Sequence, residues 1–97
     1  MEKIKTSKQM ERHFKGVANY HRIDMLRLIH KQPNITVDKI ADILNLDIKN
    51  ASQHLIKLSH SGLVNKRYKQ NNMTHMLSPY GKKFITFIKA FYNSIEL

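Results

Sequence analysis

Apolar residues recur at helical intervals through most of the chain, then at closer spacing in one short region before a last helical run. Met10, Phe14 and Val17 lie on one side of a charged segment, which predicts a first helix over roughly Lys5 to Phe14. Ile23, Leu26 and Ile29 form a stripe on a second helix from about Asn19 to Lys31. Asn19 can cap it, and "QPN" at Gln32 to Asn34 stops it. The third helix begins at Thr36, whose hydroxyl can accept an amide hydrogen bond as N-cap. Asp38 stands in its first turn, where the helix dipole favours negative charge. Val37, Ile40, Ala41 and Leu44 then fit the i, i+3, i+4, i+7 pattern of one buried face.

Asn45 and Leu46 make a very short turn, and Asp47 caps a fourth helix, "LDIKNASQHLIKLSHSGLV". At about 100° per residue, Ile48, Ala51, Leu55 and Leu58 share one stripe, predicted to be buried. Lys49, Gln53 and His60 lie opposite, Ile56 and Lys57 beside them, and Asn50 and Ser52 on the flanks. Gly62 can take the left-handed conformation that ends the helix. Beyond it, "LVNKRYK" and "MTHML" flank "QNN", which predicts a hairpin with Asn71-Asn72 in its turn. Ser78 caps a last helix to the C-terminus, with Pro79 at its first position. The predicted order is α-α-α-α-β-β-α, a mainly α (α+β) chain expected to form one domain over residues 1–97.

That last helix is unusually apolar. Phe84, Ile85, Phe87, Ile88, Phe91, Tyr92 and Ile95 cover more than one face, and excess apolar surface on a terminal helix marks an interface.

Charge narrows the partner. Formal net charge is +10, and all acids except Glu96 lie at or before Asp47. The acid-free stretch from Ile48 to Ile95 carries eight of the Lys and Arg residues. Clustered cations release counterions from phosphates, so nucleic acid is the expected partner, with an anionic membrane surface as its rival. The chain has no run of 18 apolar residues, and its charged N-terminus lacks the core of a signal peptide; a cytoplasmic location is expected. The absence of cysteine excludes disulfides, thiolate metal sites and thiol catalysis. No nucleophile–base–orienter set, Gly-rich phosphate loop or carboxylate pair in the acid-free half suggests an enzyme.

Two helices joined by a three-residue turn, the second with a polar outer face, form a helix-turn-helix. An α-helix fits the major groove, and a Glu on its outward face would sit beside phosphates. The recognition helix therefore spans residues 47–61, with Lys49, Asn50, Ser52 and Gln53 as base-reading candidates. Asn and Gln can pair bidentately with adenine, and Lys with guanine. Lys57 and His60 are candidates for the DNA backbone, as are Lys66, Arg67 and Lys69 on a basic wing over residues 63–77. Ile56 can meet a thymine methyl or pack against the wing. His54 is open between a backbone contact and a packed core histidine. The remaining histidines, His13, His21, His30, His60 and His75, have no metal-binding spacing and are expected at the surface.

Three blocks resemble the ArsR-type winged-helix repressors. "FKGVANYHRIDMLRLI" is similar to their second helix, where Ala-Asn or Ala-Asp precedes an Arg at fixed offset. Ser52, His54, Leu55 and Gly62-Leu63-Val64 match the Ser-x-His-Leu and Gly-Leu-Val of their recognition helix. "LSPYGKK" resembles the wing-to-helix junction shared with MarR-type repressors. The resemblance implies a winged helix-turn-helix repressor, homodimeric on an inverted-repeat operator of double-stranded DNA. It also implies a dimer interface from the first and last helices, here Met10 and Phe14 with Phe84, Phe87, Ile88, Phe91 and Ile95. The family's thiolate metal motif is missing, since Thr36 and Asp38 occupy its place. Its alternative site needs histidine in the last helix, which has none, so no metal or other cofactor is expected. Two alternatives stand beside this reading: a MarR-like repressor released by a small apolar ligand, and a winged-helix module that binds RNA or protein.

Overall fold

Side-chain caps fix where the helices start in the computed structural model, which describes residues 4–94. The elements are α1 (Ser7–Val17), α2 (Tyr20–Lys31), β1 (Ile35–Thr36), α3 (Val37–Leu44), α4 (Ile48–His60), β2 (Val64–Lys69), β3 (Asn72–Leu77) and α5 (Pro79–Tyr92). Asn19, Thr36, Asp47 and Ser78 each accept amide hydrogen bonds from the first turn of α2, α3, α4 and α5, as expected. α1 lies later than the periodicity suggested. The Thr6 hydroxyl accepts from the Gln9 amide at 3.2 Å while the Gln9 side chain accepts from the Thr6 amide at 2.8 Å. This capping box starts the helix at Ser7, and the helix then runs through Val17.

The β-sheet has one strand more than the sequence suggested. Ile35 and Thr36 pair antiparallel with His75 and Thr74, giving the order β1-β3-β2. Two residues carry no readable alternation, so this strand exists through its partner alone. The β2–β3 hairpin turns one residue earlier than expected. Gln70 and Asn71 hold positive φ (52° and 66°), and Asn72 instead pairs with Lys69. Positive φ at both central residues is what a tight two-residue hairpin needs.

Met25, Leu26 and Ile29 of α2 form the middle of the core with Ile40, Leu55, Leu58, Leu63 and Val64. Ile48, predicted for the buried stripe, is 51% exposed. It is the first residue of α4, and the packed part of the stripe begins one turn later at Ala51.

Two histidines expected at the surface are interior. His75 is buried on the central strand and its Nδ1 donates to the Ile35 carbonyl at 3.1 Å. Desolvation holds its pKa below the ordinary imidazole value, against the opposing pull of that hydrogen bond, and Lys66 lowers it further. His13 is buried under α1, where its Nδ1 donates to the Ser61 carbonyl at 2.7 Å and its ring lies 5.0 Å from that of Tyr80. Both sites arise from contacts 40 or more residues apart in sequence, which no local spacing reveals.

Candidate nucleic-acid interface

α3 and α4 meet through a tight corner. Asn45 takes the left-handed conformation (φ 55°), Leu46 is half-buried, and Asp47 Oδ1 accepts from the amides of Lys49 and Asn50 at 2.7 and 3.1 Å. Ala51, Leu55 and Leu58 then turn inward, which leaves Lys49, Asn50, Gln53, Ile56, Lys57 and His60 exposed. Ser52 is half-buried at the edge of this array. The C-terminal end of the helix is closed by Gly62, whose φ of 80° lets the chain turn into β2. The outward face so formed has donors, acceptors and positive charge but no carboxylate between Lys49 and His60.

His54 belongs to neither of its two expected surroundings alone. It is half-buried, and the guanidinium of the buried Arg22 lies 3.4 Å from its Nδ1. A guanidinium can only donate, so Nδ1 accepts and the ring proton sits on Nε2. The His21 ring is 5.4 Å away. Desolvation, then the charges of Arg22, His21 and Lys57, hold the His54 pKa below the usual imidazole value. Among the described residues, nothing partners the buried Nε of Arg22. Nothing in the sequence pointed to His54 as the neighbour of this arginine.

The wing extends from the base of the sheet with every residue from Asn65 to Asn72 exposed. Alternation along β2 puts Arg67 and Lys69 on one face of the hairpin, and Lys66 with Tyr68 on the other. Thr74 Oγ1 donates to the Arg67 carbonyl across the ladder at 3.1 Å.

A second surface is apolar. α1, α2 and α5 enclose an open groove of about 610 Å³ lined by Phe14, Phe84, Phe87, Ile88, Phe91 and Tyr92, among others. Phe84 is already buried by its own chain and Ile88 half-buried, whereas Phe87 and Phe91 are 48% and 66% exposed. Their rings stack edge to face at 4.9 Å. Met10 does not join this groove; it opens onto a separate cleft with Lys5 and Tyr80. Ile95 lies outside the described residues.

The model of the MarR family matches residues 19–73, more than half of the chain. The chain belongs to the MarR family. The matched span runs from the cap of α2 into the wing, so it holds the whole helix-turn-helix. The ArsR-type winged helix expected from the sequence agrees with the solved structures that share the fold. HlyU from Vibrio cholerae N16961 is 28% identical, with a TM-score of 0.82 over 97% of this chain and 100% of that one. A homodimeric winged helix-turn-helix DNA-binding domain from Mycobacterium bovis, described as a possible ArsR-family transcriptional regulator, is 23% identical. Its TM-score is 0.80, over 89% of this chain and 80% of that one. The transcriptional repressor PagR of Bacillus anthracis is 20% identical, with a TM-score of 0.76 over 84% of this chain and 93% of that one. A search of the curated proteins finds no match.

This MarR-family chain therefore has the fold of transcriptional regulators, and its family and structural neighbours are regulators rather than enzymes. Among the described residues, no helix is long and apolar enough to cross a membrane. Within the same residues no three His, Asp or Glu side chains come together as a metal would require.

Proposed function

We propose that the protein is a homodimeric, cytoplasmic transcriptional repressor that reads an inverted repeat in double-stranded DNA. The observation that carries this reading is the exposed, carboxylate-free face of α4 beside a basic wing. Lys49, Asn50, Ser52 and Gln53 read base edges in the major groove, while Lys57, His60, Lys66, Arg67 and Lys69 hold phosphates. His54 contributes its outward Nε2–H to the backbone and is braced from behind by Arg22. The reading makes residues 1–97 a single domain that uses neither metal nor cofactor.

The dimer forms over the aromatic groove, where Phe87 and Phe91 leave apolar rings in water that a second copy covers. Phe14 and Ile88 take part beside them, with Phe84 beneath as support and Met10 at the margin. Homodimerisation of the Mycobacterium bovis domain and repression by PagR are consistent with this assembly and action. The groove also supports a second reading, in which a small apolar molecule enters it and releases the DNA.

The test is selection of bound sequences from a random duplex pool, followed by gel shifts against the selected duplex, a scrambled duplex and RNA. The proposal expects an inverted repeat, bound at least about a thousandfold more tightly than scrambled DNA. Equal binding to all three would remove it.

A further inference from the structure

α1 has two working faces, one apolar and one cationic. On its other side, a cleft of about 490 Å³ separates α1 from the C-terminal half of α4. Lys8, Arg12 and Lys15 line it from α1, facing Lys57 and His60 of α4, with Glu11 as the one carboxylate among the described residues. Four permanent cations thus stand against a single acid.

The cleft is built rather than incidental. Arg12 Nε and Nη2 both donate to the His60 carbonyl, at 2.9 and 2.6 Å, and so hold α1 against the last turn of the recognition helix. Gly16 permits the close approach, because a Cβ there would collide with the Ser61 side chain. Glu11 does not neutralise the site. Among the described residues its ion pair is with Lys15 alone, at 3.3 Å, both side chains mostly exposed. An exposed i, i+4 pair of this kind is weak, so Lys15 can exchange Glu11 for a phosphate.

We infer that this cleft is a phosphate-binding surface for duplex DNA, in which Lys8, Arg12 and Lys15 extend the grip of Lys57 and His60 along one backbone strand. The inference rests on the DNA-binding reading above. Position decides which part of the operator it meets. α1 contributes Phe14 to the aromatic groove on one side and Lys8 and Lys15 to the cleft on the other. In a dimer closed over that groove, α1 lies between each recognition helix and the two-fold axis. The cleft then faces the middle of the operator, between the half-sites, where no base is read.

The experiment uses the full chain with a selected duplex. Salt dependence and phosphate-ethylation interference are compared for wild type, Lys8→Gln/Lys15→Gln and Lys8→Arg/Lys15→Arg. The Gln pair should lower the slope of log affinity against log salt by about two units, roughly 0.9 for each phosphate no longer neutralised. Interference should vanish at central phosphates and persist at outer ones, while the ratio of selected to scrambled duplex stays as in wild type. The Arg pair should restore the slope. Both lysines are exposed, so circular dichroism should not change. The inference is overturned if the Gln pair binds the operator with the wild-type slope and central interference. A wild-type protein that binds RNA or acidic peptide through the cleft, yet no duplex even at low salt, overturns the DNA reading and this inference together.

Discussion

In the proposed reading, Asn50 and Gln53 are the residues on which sequence preference turns. Each is exposed on α4, and each can exchange two hydrogen bonds with one adenine edge. Asn50→Ala and Gln53→Ala should each cost about 1–3 kcal/mol of discrimination while affinity for scrambled duplex stays nearly constant. Competition titrations measure that ratio, and a wild-type ratio in both variants would show that another face reads the bases. His75 makes a separate prediction, about stability. Its folded pKa is depressed, mainly by desolvation, so the unfolded chain takes up the proton more readily. Stability should therefore be full above the unfolded value, about 6.5, and fall as pH drops below it. Urea midpoints at about pH 7.5 and 5.5 should differ in wild type and differ less in His75→Gln; this window lies above the carboxylate range. An equal loss in the variant would assign the effect elsewhere.

Among the elements, those with local chemistry were legible in the chain itself. Asn19, Thr36, Asp47 and Ser78 cap their own first turns, and a cap needs only residues two or three positions away. β1, the buried His13 and the Arg12 clamp on His60 were not legible, because each depends on a partner about 40 or more residues distant. The candidate reading face of α4 was visible as a stripe, whereas the bracing of His54 by Arg22 required α2 to be laid against α4. The wing tests its own geometry. Arg67→Ala and Lys69→Ala, on one face of β2, should each reduce the salt slope by about one unit and weaken all duplexes alike. Lys66→Ala should do the same from the opposite face, and an unchanged slope there would mean that only the Arg67 face of the hairpin grips phosphates. For α5, Phe87→Glu or Phe91→Glu should weaken self-association by roughly 2 kcal/mol or more, since each puts a charge where an exposed aromatic ring awaits cover. Sedimentation at micromolar concentration measures it; a wild-type monomer there would contradict the proposed interface.

At the scale of the whole molecule, charge and symmetry act together. Under the proposed function, the net charge of +10 should draw the protein to any duplex, and that general attraction should decline steeply with salt. Selectivity instead requires both α4 helices to enter their grooves at once. If α1 and α5 close the dimer about a two-fold axis, the same axis relates the two recognition helices. Successive major grooves on one face of B-DNA recur after about 10–10.5 bp, so the half-site centres should lie about one turn apart. The most direct measurement is affinity for the selected operator before and after about five base pairs are inserted at its centre, which turns one half-site to the opposite face. The expected result is a fall toward the affinity of a single half-site. Unchanged affinity after the insertion would contradict a rigid two-fold reader of double-stranded DNA.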